Sequence, residues 1–224
     1  MKNLLAAAVC LLTSVGIIRA QSVDAVLARM DQAAPGFHAM SANVEMLTYT
    51  KILDDKTLEK GTLKMQRQKD KEVRAILDFS READARVIAF LGNIVKIYYP
   101  KLKEYQDYDM GKISDVLNQF LLLGFGSSGK ELERSYSISL SGSEKVGGVE
   151  TTKLLLVPKD AKVLERLSKI EVWIPNEAAY PVQQQFYEPS GNYRRVAYSD
   201  QKVNPPMPKV LELKLPPGAK KQSK

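Results

Sequence analysis

Apolar and polar residues alternate with a period of two over most of this chain. Ala42, Val44 and Met46 stand against Asn43 and Glu45, and Val73, Ala75, Leu77 and Phe79 repeat the pattern. Such alternation predicts strands with one buried and one wet face. Similar segments run over 61–67, 86–91, 94–99, 104–109, 136–140, 151–157, 168–174, 181–187, 193–199 and 210–215, and the chain as a whole reads as about eleven strands. Turn signals separate them, among them Asp54-Asp55, Gly92-Asn93, Gly147-Gly148, Pro175-Asn176, Pro189-Ser190-Gly191-Asn192 and Asn204-Pro205-Pro206. Helical spacing appears twice. Val23, Val26, Leu27 and Met30 form the stripe of a first helix, with Ser22 as its cap and Pro35-Gly36 as its stop. Ile113, Val116, Leu117, Phe120 and Leu121 form a second stripe, and Leu122, Leu123 and Phe125 carry the apolar character past it.

Many short consecutive strands joined by hairpin-type turns predict an antiparallel meander rather than a βαβ sheet. So long a twisted sheet curls, and its apolar face must be covered by the few helices or enclose a cavity. The segment 113–125 therefore has two readings, a helix packed on the core and a hydrophobic lid over a cavity.

The first twenty residues, MKNLLAAAVCLLTSVGIIRA, have a basic start at Lys2, an apolar stretch from Leu4 to Leu12 and a small residue, Ala20, before Gln21-Ser22. This is the form of a cleaved secretory signal, and its apolar stretch is short of the roughly 20 residues that a bilayer span needs. Cys10 lies within it, without the leucine at minus three of a lipoprotein signal, so a soluble periplasmic protein without a lipid anchor is expected. Residues 21–224 would then form a single domain. The mature chain loses its sole cysteine, keeps one histidine, His38, and drops from a net charge of +7 to +5 with the loss of Lys2 and Arg19. Its stability must come from its core, without disulfides. The bases are interleaved with acids, as in KDKEVR at 69–74 and SREADAR at 80–86, which argues against a nucleic-acid partner.

Catalytic chemistry finds little support. One histidine and no cysteine cannot build a His/Cys metal site, so no metal and no cofactor is expected. A nucleophilic triad would rest on His38, which follows Pro35-Gly36-Phe37 with no nucleophile motif nearby and reads as a strand-entry residue. The carboxylates are spread over turns and alternate with bases, and no catalytic residue is assigned. Gly124-Phe125-Gly126-Ser127-Ser128-Gly129 matches GxGxxG formally. A nucleotide fingerprint needs a strand before it and a helix after it in a βαβ unit, and the pattern here offers an apolar helix before and strands after. The segment reads instead as a flexible hinge beside the lid.

In order along the chain, SVDAVLARM, FHAMSANVEM, GTLKMQR, LGNIVKIYYPKLKEYQ, the apolar segment 113–125, YSISL, LLLVPK, SKIEVWIPN, PVQQQFYE and the closing VLELKLPPGA resemble the outer-membrane lipoprotein carrier family, the LolA-like periplasmic proteins. The resemblance covers essentially the whole mature chain. It implies a mainly β fold, an incomplete antiparallel β-barrel closed by a helical lid over a hydrophobic cavity. It also implies a monomeric, non-enzymatic carrier of the acyl chains of lipoproteins or other lipids, with an inner-membrane exporter as donor and an outer-membrane acceptor. In that family an arginine at the end of the strand corresponding to 62–67 holds the lid through helix backbone carbonyls. Arg67 occupies this position, with Gln68 where a proline often follows. Ile113, Val116, Leu117, Phe120 and Leu121 would form the lid helix. The candidate cavity lining is Val44, Met46, Leu63, Met65, Val73, Ala75, Leu77, Val95, Ile97, Tyr99, Ile170, Val172 and Ile174, a pattern that ordinary core packing would produce equally well. Only Ala219 to Lys224 follow Pro216-Pro217-Gly218, so the additional terminal strand of some carriers is expected to be missing. Related domains that assist lipid exporters or sense mislocalised lipoproteins are the alternative role.

Overall fold

The computed structural model describes residues 22–68, 72–111 and 123–222. Helix α1 (Val23–Ala33) begins at Ser22, whose hydroxyl accepts a hydrogen bond from the Ala25 N–H, and buries Val26, Leu27 and Met30. This is the predicted start and the predicted face. A short 3₁₀ turn, Ala34–Gly36, then delivers the chain to strand β1 (Ala39–Thr50). The strands β2 (Asp55–Arg67), β3 (Val73–Asp78), β4 (Val87–Leu91), β5 (Ile94–Tyr99) and β6 (Glu104–Asp109) follow as an antiparallel meander.

Helix α2 (Gly129–Ser135) opens the second half, which continues through β7 (Tyr136–Val146), β8 (Val149–Pro158), the short α3 (Ala161–Leu164), β9 (Lys169–Pro175), β10 (Gln183–Tyr187) and β11 (Tyr193–Val203). β1 pairs with β2 on one side and with β11 on the other, so the halves fuse into one twelve-stranded sheet whose edges are β7 and β12 (Lys220–Lys221). The sheet is open rather than a closed barrel, as expected for an incomplete one. No helix among the described residues is long and apolar enough to cross a membrane.

Register assigns the faces. Leu154, Val172, Gln184, Val196 and Met46 lie in one row across β8, β9, β10, β11 and β1, while Ala42, Leu63, Leu77, Ile88 and Ile97 lie in another across β1 to β5. These rows form the inner face, and α1, α2 and the segment after Leu123 pack on it. Two buried clusters result. The first joins Val26, Leu27 and Met30 of α1 and Leu132 of α2 to Leu154, Leu156, Ile170, Val172 and Ile174. The second joins Phe37 and Phe125 to Met40, Ala42, Val44, Leu63, Met65, Val73, Ala75 and Phe79.

Three sequence expectations change. Residues 210–215 are not a strand. Prolines at 205, 206, 208, 216 and 217 remove N–H donors on both sides, and the segment crosses the outer face of the sheet instead. Gln66 donates to the Pro208 carbonyl and accepts from the Leu211 N–H, both at 2.8 Å, and Arg74 donates to the Leu211 carbonyl at 3.4 Å. This strap ends in β12, a two-residue parallel addition to β6, so a short terminal strand is present after all. A helix, α2, also follows Ser128, where the pattern predicts strands alone.

Gly61 sits on the inner face where the Asp78–Phe79 corner closes over β2. A Cβ there would lie 2.4 Å from the Asp78 carbonyl oxygen and 2.7 Å from the Phe79 ring. Gly61→Ala is therefore expected to lower the unfolding free energy by about 1–3 kcal/mol in denaturant titration; an unchanged midpoint would refute the contact. Burial in the first cluster pushes the Tyr136 phenol from its ordinary 10.0 up to about 12. The unfolded chain then loses this proton first, so stability should fall between those two pH values, and Tyr136→Phe should make melting curves less sensitive to alkali over that window.

Candidate functional site

Between β1–β4 and β10–β11 the inner face holds a half-open cavity of about 390 Å³. Its wall contains Val44, Met46, Leu63, Met65 and Leu77 of the sequence-derived lining, together with Phe79, Phe90, Phe125, Leu167, Phe186, Val196 and Tyr198. Clefts of about 770 Å³ beside β12 and about 420 Å³ on the outer face are larger, but are lined by groups such as Asp107, Asp109 and Lys221, or Lys60, Asp78 and Glu82. Those walls cannot shield hydrocarbon, since ionised groups must stay hydrated.

The remaining lining candidates separate by location. Val73 and Ala75 are fully buried in the cluster next to the cavity. Val95, Ile97 and Tyr99 share the face of Phe90 on β5, with Val95 buried and the other two half-buried. Ile170, Val172 and Ile174 sit under α1 in the first cluster, away from the cavity wall. The lid-helix residues Ile113, Val116, Leu117, Phe120 and Leu121 lie outside the described residues. His38 is exposed just before β1.

Residues 123–127 are buried on the inner face. Two side chains hold this stretch by its backbone. Arg67, at the end of β2, donates from one guanidinium nitrogen to the Gly126 carbonyl and from the other to the Ala34 carbonyl at 3.3 Å, and stacks over Phe37 with 5.6 Å to the ring centre. Ala34 is at the C-terminal end of α1, where a cation also meets the negative end of the helix dipole. Gln184, on β10, donates to the Leu123 carbonyl at 2.6 Å and accepts from the Tyr198 hydroxyl at 2.6 Å. Phe125 packs edge-on against Tyr198, with ring centres 5.0 Å apart, and burial holds the Tyr198 phenol above its usual pKa.

Residues 124–127 are buried and tied to the rest of the fold at the Gly126 carbonyl. A Cβ on Gly126, at φ +80°, would fall 2.5 Å from the Phe37 ring and 2.7 Å from the Arg67 guanidinium, so glycine permits both the turn and the approach of the arginine. Ser128 and Glu131 form a reciprocal capping box that starts α2 at once.

Sequence reading missed Gln184 and α2, although both carried signals. Gln184 alternates with Phe186 and so belongs on the apolar face, where a polar side chain must find a partner. Ser128-Gly129-Lys130-Glu131 is the S-x-x-E signature of a helix start.

No protein-family model matches the sequence, and no curated protein matches it as a relative. Solved structures are similar in fold. An uncharacterized conserved protein from Thermus thermophilus is similar at a TM-score of 0.52 and 12% identity, over 90% of this chain and 99% of that one. MucB is similar at a TM-score of 0.50 and 13% identity, over 84% of this chain and 60% of MucB. A LolA superfamily protein from Nitrosomonas europaea aligns over 84% of this chain and 96% of its own at a TM-score of 0.39 and 14% identity. The likeness to the Thermus protein and to MucB is one of fold, an open, mainly antiparallel sheet with short helices on its inner face.

Gln184→Leu would strand the Leu123 carbonyl and the Tyr198 hydroxyl. The expected outcome is a loss of about 1–3 kcal/mol in thermal or denaturant unfolding, with faster amide exchange over 123–127. Unchanged exchange there would exclude the tether.

Proposed function

We propose that this chain, with its LolA-like fold, is an exported carrier. It takes the acyl chains of lipoproteins, or of another acylated lipid, from an inner-membrane donor, shields them on the inner face of the sheet and passes them to an outer-membrane acceptor. The observation that carries this reading is the apolar cavity beside a segment tethered by Arg67 and Gln184. Hiding an acyl chain from water is worth about 0.8 kcal/mol per CH₂, so only an enclosed apolar wall can ferry one through an aqueous compartment. Methionines at 46 and 65 in that wall suit flexible chains, because an unbranched thioether adapts its shape.

Release is the second requirement. A carrier whose cover were welded in place would never unload, so open and closed forms must differ by only a few kcal/mol. Arg67 fits the role of latch because its hydrogen bonds go to main-chain carbonyls of two separate covering elements. Those bonds can break without a charge being buried unpaired.

Native mass spectrometry of the protein purified from its own envelope should show co-purifying acyl species; a ligand-free protein with a dry interior would overturn the carrier reading. In a purified donor–acceptor assay, Arg67→Leu should change the rate of cargo release while the circular dichroism spectrum stays the same. Transfer indistinguishable from the parent would remove Arg67 from the mechanism.

A further inference from the structure

We propose that the mouth of the cavity selects amphiphiles with a negatively charged head, received by Arg166 and Arg194; this deepens, and rests on, the carrier reading. Of the residues around the cavity, Arg166, Glu188 and Arg194 are the charged ones, and all three are exposed. Charge in a cavity wall marks the end that faces water. Farther along the strands the wall is apolar: Arg194 pairs with Thr48 at one end of β1, while Met65 pairs with Met40 near the other, in one row with Phe90. A ligand with one apolar chain and one polar head therefore has a single favourable orientation, head toward the arginines.

The fold brings these groups together at the end of β10. Arg194 stands opposite Phe186 in the β10–β11 register. Glu188 lies two positions past Phe186. Arg166 arrives on the turn after α3, which is fixed to the same strand end by Ser168, whose N–H and hydroxyl both donate to the Tyr187 carbonyl, at 2.8 and 3.0 Å.

Glu188 does not neutralise them. Its carboxylate accepts from the Ser190 hydroxyl and the Asn192 side-chain amide, each at 3.1 Å, and so is turned into its own tight turn. Neither Arg166 nor Arg194 makes a side-chain hydrogen bond or an ion pair among the described residues. The mouth thus presents two guanidinium groups whose donors are unused. A guanidinium offers a planar fork that matches phosphate and carboxylate oxygens, and a neutral ester or amide head gains little from it. Because the site is open to solvent, screening keeps the preference modest, on the order of tenfold.

The test uses two amphiphiles with the same acyl chain and different heads, lysophosphatidylglycerol, which is anionic, and the corresponding monoacylglycerol, which is neutral. Each would displace a neutral fluorescent fatty-alcohol probe from the purified protein. The anionic lipid should bind about tenfold more tightly to the parent protein. In the Arg166→Gln/Arg194→Gln variant the gap should close through weaker binding of the anionic lipid, with the monoacylglycerol unchanged. Both positions are on the surface, and a matching melting temperature would verify that the fold is kept. Equal affinities in the parent, or a gap that survives in the variant, would overturn this inference and leave the carrier reading standing. Failure of both lipids and the probe to bind would overturn the two together.

Discussion

An open sheet with an apolar inner face depends on whatever covers that face, and here the cover is held by its backbone rather than by grease alone. Arg67 reaches from the end of β2 to the carbonyl that closes α1 and to the carbonyl of Gly126. One side chain thereby ties together the N-terminal helix, the sheet and the stretch 123–127. Each carbonyl would otherwise need a partner in a partly buried place, which is costly to leave unmade. The glycine at 126 and the edge-on contact of Phe125 with Tyr198 follow from this tie, because they let the main chain come close enough for the arginine to grasp it.

The inner face divides into a packed half and a hollow half. Under α1, residues such as Leu154, Ile170 and Ile174 are fully buried against Val26 and Met30, and the helix provides ordinary core stability there. Toward β1 and β11 the wall is equally apolar but encloses space. The proposed carrier role needs both, since a sheet lined throughout by packed core would have no room, and one hollow throughout would lack the buried area to fold.

Much of this was legible along the chain. The Ser22 cap, the 3.6 spacing of Val23, Val26, Leu27 and Met30, and the period of two from Ala42 to Met46 express local preferences that the tertiary structure keeps. Alternation marks burial but not what lies opposite, so Ile170 and Leu63 read alike although one faces a helix and the other a cavity. The closing VLELKL has the apolar spacing of a strand, yet its main chain pairs with the side chains of Gln66 and Arg74 rather than with a ladder, and its Leu211 covers the outer face. Gln184 was invisible to a reading that followed apolar residues, since its role depends on a carbonyl that sequence alone cannot place beside it.

The central position of β1 also governs how the molecule can be made. Val44 pairs with Gly61 after one hairpin, but its other edge waits for Tyr198, about 150 residues later in the chain. A chain emerging from its N-terminus can assemble the first six strands early and must then leave the flank of β1 unpaired until residues 193–203 arrive. Such an edge is a template for aggregation during that delay. Completion of the pocket therefore waits for residues 193–203, and until they arrive the chain has one wall of its cavity and nothing to face it.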